Sequence, residues 1–203
     1  MARQLDFYFD CSSPWTYLAF HAVQPMAEEL GVAIEWKPIL VGGVFNTVND
    51  TVYQSRLKPN PRKSDYSRKD LADWARFYGL RIKMPPSVFP VNSVKCMRGA
   101  LVAIERGQLV PYATAVFDAY WGDDRDISQD AVIADILARV GFEPDDFFRR
   151  IAEPACKERL KANTDELITR GGFGSPTMFV NRTDMYFGND RLPLVREALR
   201  RAA

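Results

Sequence analysis

Leu5, Phe7 and Phe9 alternate with polar or amphipathic positions, and this period of two predicts a strand over residues 4–10. Ser13 then stands where a helix N-cap belongs, and Pro14 takes the first helical position that its fixed φ suits. Trp15, Leu18, Ala19, Ala22, Val23 and Met26 follow at helical spacing, and Gly31 is the expected stop. Val32 to Pro38 reads as a second strand, so the start of the chain is a β-α-β unit with parallel strands and a right-handed crossover.

From about residue 43 to 170 strand signals almost vanish. Helical spacing recurs over 69–78, 94–106, 112–121, 129–140 and 145–151, with Ser128 and Gly141 as start and stop of the fourth. A hairpin over 177–181 and 185–187 and a closing helix over 192–201 complete the pattern. The expected fold is therefore α/β: a discontinuous core, 1–42 and 171–203, interrupted by an all-helical domain, 43–170, entered through a loop at Gly42-Gly43 and left near Gly171-Gly172. A ligand cleft belongs between the two lobes. The least regular stretch, 54–69, carries Arg56, Lys58, Arg62, Lys63, Arg68 and Lys69 with two prolines. It reads as a solvated loop, or as a lid whose cations attract a carboxylate.

A chain of 203 residues with 47% hydrophobic content can bury a full core. Twenty-seven basic and 26 acidic residues leave a net charge of +1, which points away from nucleic acid or a membrane as partner and toward small molecules. No apolar run approaches transmembrane length, and Met1 to Gln4 lead straight into a strand without a secretory pattern. Three dispersed cysteines, an odd number, suit a reducing cytoplasm better than a disulfide framework.

At Ser13 the unpaired N–H groups and the positive end of the helix dipole converge, favouring a bound anion or thiolate, although a serine there is also simply a cap. Cys11 is the rival nucleophile, at the end of an apolar strand where a free cysteine behaves as a small buried hydrophobe. Cys96 and Cys156 fall in helical patterns and read as structural. The only histidine, His21, lies inside the first helix and reads as structural too, which excludes a zinc site built from several histidines.

Three motifs carry a family resemblance over nearly the whole chain. Ser13-Pro14-Trp15-Thr16 stands where a thioredoxin-like fold places Cys-X-X-Cys, Phe173 to Thr177 looks like that fold's cis-proline loop, and Phe187 to Arg191 is similar to the signature after the last strand of kappa-class glutathione transferases and bacterial 2-hydroxychromene-2-carboxylate isomerases. Trp36 to Pro38, Gly42-Gly43 and Phe89 to Asn92 match in order. The resemblance implies a thioredoxin-like core with a helical insertion and a cytoplasmic, glutathione-dependent enzyme, usually a homodimer. It works on a small aromatic carboxylate: an isomerase of 2-hydroxychromene-2-carboxylate, with a glutathione transferase or a silent thiol-binding protein as alternatives. With no thiol at Ser13 or Thr16, disulfide exchange is excluded.

The same resemblance assigns Ser13 to the cofactor's sulfur and the backbone beside a cis Ser175-Pro176 bond to its cysteinyl part. Asp190, with Asn189, would receive the γ-glutamyl ammonium, or the pair would only cap the last helix. Asn49 matches a glutathione-contacting asparagine in an altered loop, and Asn92 faces the second substrate or caps a helix. Phe45, Phe89, Trp121 and the basic stretch are the candidates for the substrate's aromatic walls and carboxylate partner.

Overall fold

The first strand, β1 (Gln4–Phe9), is an interior strand of a four-stranded sheet and is buried on both faces by a separate side-chain cluster on each. The computed structural model describes residues 3–202. Residues 1, 2 and 203, at the outer limits of the expected discontinuous domain, lie outside the described residues, as does the side chain of Arg56. The sheet order is β2-β1-β3-β4, where β2 is Ala33–Pro38, β3 is Thr177–Val180 and β4 is Asp184–Phe187. β1 and β2 are parallel with Phe7 opposite Trp36, whereas β3 runs antiparallel to β1 with Met178 opposite Phe7. The β-α-β reading and the hairpin are both present.

Helix α1 (Pro14–Leu30) begins at the Ser13 cap, whose Oγ accepts the Thr16 N–H, and ends at Gly31 with a left-handed φ of 62°. Its buried set, which includes Tyr17, Phe20 and Ala27, is wider than the single predicted face, because the helix packs on the sheet and also against Phe117. The last helix, α10 (Leu192–Arg201), lies against α1. Odd positions of β1 join Phe20 and Trp36 in the larger core, while Tyr8 and Phe179 on the other face pack with Ile39, Val44 and Leu167.

Between β2 and β3 the chain is helical: α2 (Val41–Val48), α3 (Thr51–Leu57), α4 (Pro61–Phe77), α5 (Val94–Glu105), α6 (Leu109–Phe117), α7 (Asp130–Val140), α8 (Pro144–Ala152) and α9 (Pro154–Thr169). The 54–69 stretch is thus not an irregular loop. Asn60 caps α4 by accepting the Lys63 N–H and Pro61 opens it, but only Leu71 and Ala75 are buried, so the helix shows almost no apolar stripe. Gly42 and Gly43 lie inside α2 rather than in an entry loop. α9, with three buried residues, was also outside the predicted set. The expected 112–121 helix is α6 followed by a π-helical turn, Asp118–Gly122. Gln129, not Ser128, precedes α7; the Ser128 hydroxyl instead donates to Asp126 at 2.6 Å.

Candidate active site

The Ser13 hydroxyl has two partners. It accepts the Thr16 N–H at 3.2 Å and donates to the Ser175 carbonyl at 3.0 Å. The Ser175-Pro176 peptide is cis, as the motif led us to expect. The Ser175 side chain is buried and committed: its Oγ accepts the Asp10 N–H at 3.0 Å and shares a 2.7 Å hydrogen bond with Thr16 Oγ1. Only the backbone of Ser175 is therefore left to meet a ligand.

A cavity of about 700 Å³ opens at this junction, and it brings together Ser13, Asn49, Asn92 and Ser175. Asn49 Nδ2 donates to the Phe173 carbonyl at 3.0 Å and its Oδ1 accepts from Thr51 Oγ1 at 2.8 Å, so its side chain ties α2 and α3 to the Phe173 loop. Asn92 is exposed and accepts the Val94 N–H at 3.1 Å, two residues before the helix it was expected to open. Phe45 and Phe89 supply aromatic walls. Trp121 does not: it is fully buried, donating from Nε1 to the Cys11 carbonyl at 2.9 Å. No lysine or arginine is among the described lining residues; from the basic stretch only Ser55 and Ser67 reach the cavity, while Arg68 and Lys69 pair with Asp65 and Asp73.

A smaller cavity of about 290 Å³ shares Trp15, Ser175 and Phe187 with the first and extends to Pro176, Asn189 and Asp190. Asn189 is 2% exposed, and its Nδ2 makes no well-formed hydrogen bond, only a contact that favours the ionised Tyr78 phenol. Asp190 pairs with Arg191 at 2.6 Å, and Asp70 of α4 also lines this cavity. Neither Asn189 nor Asp190 caps the last helix by its side chain; both lie in a 3₁₀ turn, Asn189–Arg191, whose Arg191 precedes α10.

Cys11 is a core residue. It is 2% exposed, its N–H points to Met97 Sδ at 3.3 Å, and burial pushes its thiol well up, with Cys96 beside it adding to the rise. His21 is packed between Tyr17 and Phe20 rings, and burial lowers its pKa. Among the described residues no cluster of three or more His, Cys, Asp or Glu could hold a metal ion.

Two site residues escaped the sequence. Asp10 and Thr16 hold the Ser13 and Ser175 segments together from below. Their signals were present, an acid closing an otherwise apolar strand and a hydroxyl three residues beyond an N-cap, but neither shows its partner 159 or more positions away.

The chain is similar to known proteins over its whole length. A 2-hydroxychromene-2-carboxylate isomerase of Pseudomonas putida is 32% identical over 97% of this chain and 94% of its own. A kappa 2 glutathione S-transferase of Caenorhabditis elegans is 26% identical over 97% and 92%. A solved 2-hydroxychromene-2-carboxylate isomerase superposes with a TM-score of 0.82 at 30% identity, covering 98% of this chain and 95% of that one. No helix of the described residues is long and apolar enough to cross a membrane. The model of the DSBA-like thioredoxin domain matches residues 4–200, and the chain belongs to that family.

Proposed function

We propose that the protein is a glutathione-dependent isomerase interconverting 2-hydroxychromene-2-carboxylate and trans-o-hydroxybenzylidenepyruvate in cytoplasmic aromatic catabolism, acting as a homodimer. The observation that carries the reading is the Ser13 hydroxyl at the N-terminus of α1, facing a cavity that the Ser175 backbone also borders. The isomerase relatives supply the substrate class.

The residues fit glutathione. The Asn189 Nδ2, buried with only a poorly formed contact to the Tyr78 phenol, offers a donor to a carboxylate, and Asp190 and Asp70 offer anions to an ammonium, in the cavity adjoining Ser13. Bound glutathione supplies a thiolate nucleophile, which the enzyme itself lacks. A free thiol has a pKa of about 8.5 and is mostly protonated at neutral pH. Ser13 and the α1 N-terminus favour the anion, each unit of lowering being about 1.4 kcal/mol. Phe45 and Phe89 enclose the ring system.

The kappa-class relative supports a second reading, a transferase that releases the adduct instead of resolving it. An ultraviolet assay of 2-hydroxychromene-2-carboxylate conversion, with and without glutathione and with the glutathione weighed by mass spectrometry afterwards, separates them. Conversion that requires unconsumed glutathione is expected. Absence of conversion, or consumption of glutathione, overturns the isomerase.

A further inference from the structure

Asp10 and Tyr53 are the titratable side chains among the described residues lining the larger cavity, and only Asp10 is buried, at 1% exposure. Its Oδ1 accepts the Ser12 N–H and its Oδ2 the Val41 N–H, both at 2.9 Å, with the Ser93 and Ser12 hydroxyls as further donors. Its own N–H and C=O reach Ser175 and Ser13. One carboxyl group therefore touches the ends of β1, α2 and α5 at the floor of the site.

All four contacts donate to the carboxyl, which is the arrangement of a carboxylate. No cation among the described residues lines the cavity to offset it. The other ionisable neighbours are Cys11, next in the chain, and Cys96, which meets Cys11 from α5. A thiolate placed at Ser13 adds a second anion to the same cavity, and two like charges sharing a low-dielectric site favour uptake of a proton by one of them. Burial already pushes the Asp10 carboxyl up from the ordinary range.

We propose that Asp10 takes the proton of the thiol that binds at Ser13. The S–H bond breaks, its electron pair stays on sulfur, and an O–H bond forms on the Asp10 carboxyl, so the proton stays inside the protein and is returned when the thiol leaves. The inference rests on the glutathione reading of this site and adds the residue that handles its proton.

Glutathione is titrated into the protein at neutral pH. The thiolate is followed by its ultraviolet absorbance, and proton exchange by calorimetry in two buffers of different ionisation enthalpy. The wild-type protein is expected to show the thiolate band while releasing well under half a proton per thiolate, whereas Asp10→Asn releases about one. A full proton per thiolate from the wild-type protein overturns the proposal, and that count needs no variant to fold. Binding without a thiolate band overturns it as well, leaving glutathione binding intact. Absence of any glutathione binding removes both readings together, which distinguishes that failure from a failure of Asp10 alone.

Discussion

The single proton of the Ser13 hydroxyl is given to the Ser175 carbonyl, 3.0 Å away and 162 residues further along the chain. To serve a thiolate the hydroxyl must turn about its Cβ–Oγ bond, exchanging a neutral acceptor for a charged one that bonds about twice as strongly. The Thr16 N–H stays on the oxygen's other side and keeps it in place.

For Ser13→Ala, turnover in the isomerase assay should fall at least about tenfold, equivalent to about 1.4 kcal/mol at the transition state. Loss of the cap should cost about 1 kcal/mol of stability as well. Cys11→Ala should leave turnover per folded molecule unchanged, since its thiol is buried in the core. The reverse pattern in steady-state kinetics would move the chemistry to the protein's own thiol.

Asn189→Ala should separate binding from stability. Its Nδ2 is buried with only a poorly formed contact to the Tyr78 phenol, so truncation removes a weakly satisfied donor and should change the denaturation midpoint little. Glutathione binding by calorimetry should nevertheless weaken, by about 1 kcal/mol for one lost hydrogen bond. A variant that unfolds more easily but binds normally would make Asn189 a packing residue only.

Arg170 bonds Asp6 at 2.8 Å, on a carboxylate with 3% of its side chain exposed, and lies over the Phe179 ring. Arg170→Met strands that buried charge, and urea denaturation should report a loss of about 3 kcal/mol. Adding Asp6→Asn should recover a large part of it. If the double variant is no better than the single one, the cation's stacking on Phe179 outweighs the ion pair.

Burial lowers the His21 pKa from an ordinary 6.5, against a smaller opposing pull from Asp118, 3.8 Å away. The unfolded chain therefore binds a proton more readily than the native one, so this residue's contribution to stability is full above about 6.5 and declines as pH falls toward the lowered native value. Denaturant midpoints taken stepwise between pH 7.5 and 5.5 should fall, and His21→Gln should flatten the slope. An unchanged slope would assign the acid sensitivity to other groups.

Elements whose apolar spacing, caps or stops stand in the local sequence were legible there. β1, β2, the β3-β4 hairpin, α1 and α10 stand close to where alternation, caps and stops put them. Only the second half of α4 was legible, within the expected 69–78 helix, because the cations across 54–69 hid a first half that Asn60 and Pro61 announce by capping alone. Trp121 looked like a cleft wall because a tryptophan's size suits one, yet its indole N–H is spent on Cys11. Ser13 and Ser175 could be read from local motifs, whereas the Asp10 junction depends on Val41 and Ser93 arriving from other elements, which no local pattern encodes.

The strand order has a consequence for how the molecule is made. β1 leaves the ribosome well before β3 but lies beside it, with Met178 paired to Phe7, so the sheet stays one strand pair wide until residue 177 and those after it have been made. Until then the hydrophobic edge of β1 has only the newly made helices to shield it, and a chain stalled before residue 177 carries Ser13 without the loop that completes its site.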